Sequence, residues 1–226
     1  MIEKSKNLST FAYATGNVNV FTALANNCSN LTELDLKLHD DSGIDNIDDC
    51  LSEIFKNNEK LKFIKLKNFH AITGKCFLSL AKNVVEEIEL NKVRNIKQEF
   101  LIKSLPNFTK LISLQFFHVR RNALVHLAEG ISLCSKLKKL TIFPKGVLED
   151  LYLFTSSKNI ESLSIGLAKD QRITERFLDY MSWNLLKLKY LDIGGDSRSS
   201  FNKKFNLNCK ILKLQILTLY ETLKNN

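Results

Sequence analysis

The chain has 226 residues, 33 basic and 24 acidic side chains, a net charge of +9 and 44% hydrophobic residues, proportions ordinary for a folded protein. Two prolines, Pro106 and Pro144, and eight glycines exclude a long flexible linker, and no apolar run reaches the ~18 residues of a membrane helix. The opening residues 1–7 are polar and lead into no signal-peptide core, so no membrane partner is expected and the cytoplasm or nucleus is the expected compartment.

In chain order, Leu8, Phe11 and Tyr13 make a weak strand, and Val20, Leu24 and Cys28 at i, i+4 and i+8 make one helical stripe. Leu31, Leu34 and Leu36 then spell L-x-x-L-x-L, the strand signature that the rest of the chain repeats. It returns at Leu61/Ile64/Leu66, Val85/Ile88/Leu90, Leu111/Leu114/Phe116, Leu137/Leu140/Ile142, Ile160/Leu163/Ile165, Leu188/Leu191/Ile193 and Leu214/Leu217/Leu219. Between the copies lie helical stripes. Ile47, Leu51, Ile54 and Phe55 form one with acids near its start, where the helix dipole favours them. Thr73 is placed to cap a helix carrying Phe77, Leu78, Leu80 and Ala81, and Lys97 to Leu105 presents Phe100, Leu101 and Leu105. Asn122 opens a helix with Leu124, Leu127, Ala128 and Ile131, Gly146 one with Leu148, Leu151 and Phe154, and Thr174 one with Phe177, Leu178, Met181 and Leu185. Segment 199–211 is the poorest stripe, with only Phe201, Phe205, Leu207 and Ile211 apolar.

The mean step between copies is about 26 residues, the range of a solenoid. One strand and one helix cannot bury their apolar faces alone, whereas stacked units share a continuous core. The expected fold is therefore α/β: a curved solenoid, or horseshoe, with a parallel sheet on the concave face and helices on the convex face. Residues 1–226 form about nine repeats with no separate second domain. Neither end carries a polar cap, so the array is expected to continue or to have its ends covered by another element or chain.

Five cysteines with no C-x-x-C pair, two of them three residues before a strand motif at Cys28 and Cys134, read as packing thiols of a reducing compartment. His39, His70, His118 and His126 form no H-x-x-x-H pair, and no phosphate-binding or nucleophile-elbow motif occurs. Gly194-Gly195-Asp196 reads as a strand-ending turn. No enzyme activity, cofactor or metal is expected. Charge is uneven: Glu33–Lys60 holds nine acids and three lysines, and the remainder carries 30 basic and 15 acidic residues. Such asymmetry can steer an acidic partner to the later repeats, although a solvated lysine-rich helix face explains it as simply. Lys60, Lys62, Lys65 and Lys67, and later Lys136, Lys138 and Lys139, do not interleave with aromatics as in RNA-binding modules, so nucleic acid is not the expected partner.

Alternation along each strand places the residues between the motif leucines on the concave face. The first half of that surface shows Glu33, Asp35, Lys37, Phe63, Lys65, Lys67, Glu87, Glu89 and Asn91. The second shows Ser113, Gln115, Phe117, Lys139, Thr141, Phe143, Ser162, Ser164, Gly166, Tyr190, Asp192, Gly194, Ile216, Thr218 and Tyr220. A protein partner is expected there, with Phe117, Phe143, Tyr190, Asp192 and Tyr220 as later contacts and Glu33, Asp35 and Lys65 as earlier ones.

These motifs resemble a leucine-rich repeat protein over nearly the whole chain. The step of about 26, with Cys28 before Leu31 and Cys134 before Leu137, is most similar to the cysteine-containing repeats of F-box/leucine-rich-repeat proteins. Fragments 72–82 and 127–134 resemble the helix-to-strand passage of that subclass. Two features depart from it. His39, Phe69, Val93, Val119, Lys145, Ala168 and Asp196 stand where the usual Asn or Cys follows the strand, and residues 1–30 show no F-box pattern. The resemblance implies a protein–protein interaction module. In its finer form it implies the substrate-recognition part of an F-box-type ubiquitin ligase, holding a Skp1-type adaptor through an F-box missing from these residues. The alternative is a free-standing scaffold or regulator.

Overall fold

The computed structural model describes residues 7–15, 17, 19–39, 46–81, 83–120, 127–145, 158–167, 181, 183–195 and 202–206. Among the described residues nine strands lie side by side in chain order in one sheet: β1 (Thr10–Thr15), β2 (Glu33–Leu38), β3 (Phe63–Lys67), β4 (Glu87–Asn91), β5 (Ser113–Arg120), β6 (Lys139–Lys145), β7 (Ser162–Leu167), β8 (Tyr190–Gly195) and β9 (Asn202–Asn206). The first eight are parallel. The connections carry α1 (Asn19–Asn27), α2 (Ile47–Asn57), α3 (Gln98–Ser104) and α4 (Leu127–Ser132); α1 packs on α2 and α3 on α4, and a 3-10 turn, Lys75–Ser79, bridges α2 to α3. This is an α/β solenoid in which successive parallel strands carry successive copies of the L-x-x-L-x-L motif. Strands about 4.8 Å apart cannot match helices about 8–10 Å apart without bending the stack, which puts the sheet on the inner side.

The L-x-x-L-x-L positions align across the sheet as rows. Leu34, Ile64, Ile88, Leu114, Leu140, Leu163 and Leu191 form one, and Leu36, Leu66, Leu90, Phe116 and Ile142 another. All are buried, with the first motif residues Leu31, Leu61, Val85, Leu111, Leu137, Ile160 and Leu188 behind them. Alternation thus holds along the array: one parity fills the core, the other faces outward.

The turn from helix to strand has its own buried position, three residues before the first motif leucine, filled by Cys28, Asn58, Phe108, Cys134 and Leu185. Asn58, fully buried, is the polar member. Its Oδ1 accepts the Leu31 N–H at 2.9 Å, and its Nδ2 donates to the carbonyls of Cys28 (3.0 Å) and Ile54 (2.8 Å). It ties two repeats together where Cys134 offers only long thiol contacts of 3.4 and 3.5 Å to Gly130 and Leu105 carbonyls. A second tie is Asp48 on α2. Its carboxylate accepts from the Thr73 N–H (2.7 Å) and hydroxyl (2.8 Å) and from the Gly74 (3.1 Å) and Cys76 (3.2 Å) amides of the next repeat.

After the strands, Asn68, Lys92 and His118 all take left-handed backbone, φ 63°, 55° and 55°. This swings the chain away from the sheet and drives Phe69 and Val93 into the core, so apolar packing replaces the Asn or Cys usual at that position. Phe69 meets Phe21 of α1 edge-on, at 6.1 Å between ring centroids.

Several expectations change. The helix expected after Thr73 is only a 3-10 turn, Lys75–Ser79, because Asp48 holds the Thr73–Cys76 amides in a tight turn; Phe77 is buried and Leu78 is exposed. Tyr13, expected as core, is 48% exposed, since β1 has β2 on one side only. Segment 199–211, expected as a helical return, supplies β9, which pairs antiparallel with β8. Residues 196–201 are too short for the crossover of a dozen or more residues that parallel pairing needs. Gly194 and Gly195 continue β8 and pair with Gly166 and Leu167 instead of making a turn. The expected helices at Gly146–Phe154 and Thr174–Leu178 and the strand Leu214–Leu219 lie outside the described residues.

Candidate protein-binding face

Strand register brings the outward residues into three rows across the sheet. The row at the strand starts runs Thr10, Glu33, Phe63, Glu87, Ser113, Lys139, Ser162, Tyr190. The middle row runs Ala12, Asp35, Lys65, Glu89, Gln115, Thr141, Ser164, Asp192. The third runs Ala14, Lys37, Lys67, Asn91, Phe117, Phe143. The residues singled out from the sequence therefore share one face. Glu33, Asp35 and Lys65 are neighbours in its first half, and Phe117, Phe143, Tyr190 and Asp192 belong to its second. Tyr220 lies outside the described residues.

The early half is charged and partly self-neutralised. Lys67 Nζ is 3.7 Å from Glu89, and Gln115 Nε2 donates to Glu87 (3.2 Å) and to the Ser113 hydroxyl (3.2 Å). That network closes over the centre of the face. Ser113, Gln115 and Thr141, expected on the accessible surface, are buried between flanking strands.

The later half is aromatic. Phe117 and Phe143 stack with centroids 5.5 Å apart and planes 27° apart, which places both rings on the sheet instead of in the loops after it. Gly166 is the seat of this stack: a Cβ there would lie 2.3 Å from Phe143 Cδ1, so only glycine lets the ring settle on the β7 backbone. In the sequence Gly166 is only one of the outward residues of the later strands. Its signal was a glycine in the row next to an aromatic on the preceding strand. Tyr190, one strand further, is 55% exposed. On the same strand Asp192 Oδ1 is buried without a hydrogen-bond partner among the described residues. An unpaired buried acceptor costs free energy until a donor reaches it. Stacked rings and an exposed phenol make a surface that can take an apolar side chain from another molecule.

Cysteine chemistry is muted here. Burial pushes the Cys134 thiol up to about 12, and burial also raises Cys28 and, more strongly, Cys76. All three are reduced and inward. No helix among the described residues is long and apolar enough to cross a membrane.

No known protein family and no curated protein matches the chain. Among solved structures it is similar to the leucine-rich repeat-containing protein LegL7 from Legionella pneumophila, with a TM-score of 0.40 and 13% identity, over 92% of this chain and 90% of that one.

Proposed function

We propose that the chain is a protein-interaction module whose partner docks on the outward face of the parallel sheet, at β5–β8. The observation that carries this reading is the Phe117–Phe143 stack seated on Gly166, in the same half of the face as exposed Tyr190. Holding large rings at a surface is unfavourable for an isolated protein, and such rigid aromatic anchors are what interfaces use as hot spots. Glu33, Asp35 and Lys65 supply polar contacts from the earlier strands. In this reading the entire chain is one solenoid of about nine repeats.

The finer version is the substrate-recognition part of an F-box-type ubiquitin ligase. It is supported by the buried cysteines at the helix-to-strand turns, Cys28 and Cys134, which match the cysteine-containing repeat pattern. A free-standing scaffold is the alternative. A Skp1-type adaptor pull-down with the full-length gene product separates them: co-purification supports the ligase, and its failure leaves the scaffold. The docking face itself is tested by Tyr190→Ala combined with Phe143→Ser. A partner that binds the wild type should lose at least about tenfold in affinity, and undiminished binding refutes this face.

A further inference from the structure

The turns that lead into the strands form a second surface, which adjoins the sheet face along its strand-start row. There the backbone runs as an unbroken ladder: the amides of Thr32, Lys62, Glu86, Ile112, Lys138, Glu161 and Lys189 each donate to the residue at the same position of the preceding repeat, at 2.7 to 2.9 Å. Side chains along this rim are therefore held in register, with repeats about 4.8 Å apart.

Charge along the rim reverses. From two residues before to two after the first motif leucine, β2–β4 carry Lys60 and Lys62 against Glu33, Glu59, Glu86 and Glu87. The same positions of β5–β8 carry seven lysines and one carboxylate, Glu161. Glu161 is already saturated, 3.0 Å from Lys138 and 2.6 Å from Lys189, and those ammonium groups hold its carboxyl down at about 2. Lys110, Lys136, Lys139 and Lys158 are exposed and make no ion pair among the described residues, and Lys187 bonds only the neutral Asn159 amide oxygen, at 2.7 Å.

Among these cations stand apolar side chains where other repeats are polar. Ile112, 42% exposed, takes the ladder position held elsewhere by Thr32, Lys62, Glu86, Lys138, Glu161 and Lys189. Leu186, 68% exposed, replaces Ser29, Glu59, Asn83, Thr109, Ser135 and Lys158, and Trp183 just before it is 71% exposed.

We propose that this basic rim of β5–β8 binds an acidic polypeptide segment in which carboxylates alternate with apolar side chains. Carboxylates answer the unpaired lysines, and apolar groups cover Ile112, Leu186 and Trp183. A nucleic acid would satisfy the lysines and stack a base on Trp183, but it carries no aliphatic side chain to cover Ile112 and Leu186. A bilayer would have to strip water from the ion-paired Glu161, Asn159 and Ser135, which lie between Ile112 and Leu186. The inference rests on the reading of the chain as a protein-interaction module and adds a partner chemistry at a different edge of it.

The test uses the full chain and a fluorescent synthetic peptide alternating glutamate with leucine and phenylalanine, alongside its glutamine counterpart, single-stranded RNA and phosphatidylserine/phosphatidylcholine vesicles. The glutamate peptide should bind, and the glutamine peptide at least about tenfold more weakly. The charge swap Lys110→Glu/Lys136→Glu/Lys158→Glu should cost at least about tenfold, and Trp183→Ala/Leu186→Ser about fivefold or more, with circular dichroism confirming folding. Phe117→Ser/Phe143→Ser, on the other surface, should leave peptide affinity unchanged, so failure here is distinct from failure of the sheet-face reading. The proposal is overturned if the glutamate peptide does not bind, if the charge swap leaves its affinity intact, or if RNA or vesicles bind the rim more tightly than it does.

Discussion

Replacing Asn58 by alanine tests how the repeats are joined. The side chain is fully buried and makes three hydrogen bonds, accepting from Leu31 N–H and donating to the Cys28 and Ile54 carbonyls. Each bond contributes about 1 kcal/mol net, and a buried group left without a partner costs about 1–3 kcal/mol. Two of the three bonds reach the preceding repeat, at Leu31 and Cys28, so most of the loss falls on the joint between repeats. The sum is about 3 kcal/mol, a substantial fraction of the stability of an ordinary domain. Asn58→Cys should cost less, because the equivalent position accepts cysteine at Cys28 and Cys134. The assay is urea unfolding combined with amide exchange at Leu31. The account predicts a lower midpoint and loss of protection at Leu31 in the alanine variant. A change below about 0.5 kcal/mol with Leu31 still protected would refute the reasoning.

Three further outcomes follow from the same geometry. Asp48→Ala removes an acceptor for four donors of the next repeat and should cost about 2–3 kcal/mol by urea unfolding, with the Thr73–Cys76 amides exchanging faster; an unchanged midpoint would count against the tie. Gly166→Ala forces Phe143 off its seat, so the near-ultraviolet circular dichroism of the Phe117–Phe143 stack should change and stability fall by about 1–3 kcal/mol; adding Phe143→Ala should restore much of the loss. Cys134, with its thiol pushed from 9.0 up to about 12, should resist alkylation in the folded chain while half-buried Cys50 reacts, as peptide mapping would read. Because folding favours the neutral thiol, its contribution to stability is full below pH 9 and is lost as pH rises toward 12.

The core and topology were legible because each strand repeats one short apolar spacing, and the spacing alone fixes which parity is buried. Leu34 and Leu36 set the rule, and their counterparts to Leu191 obey it. Helices were less legible. Thr73 looks like a cap for a helix, yet Asp48, twenty-five positions away, dictates a 3-10 turn, and nothing local in sequence announces that bond. The replacement of the post-strand Asn was visible, but its consequence, Phe69 and Val93 turned inward by left-handed residues before them, was not. On the sheet face the rows were readable and the accessibility was not. Gln115 and Thr141 sit on the outward parity but are roofed by neighbours, whereas Phe117 and Phe143 stay at the surface because Gly166 leaves room for a ring. Leu186 passes unnoticed within a repeat and stands out only against the polar residues at equivalent positions. The strand β9 escaped because Asn202–Asn206 carries no apolar alternation of its own kind, and its pairing comes from its short connection to β8.

We propose that partner recognition is written on the outward face of β5–β8. Photo-cross-linking addresses it directly: a benzophenone amino acid is placed at Tyr190 in one variant and, in another, at Glu53 on the exposed side of α2. The account predicts that one defined polypeptide cross-links at position 190, that Phe143→Ser reduces its yield, and that it is absent at position 53. Cross-linking of that polypeptide at position 53, or its persistence at 190 despite Phe143→Ser, would contradict the claim.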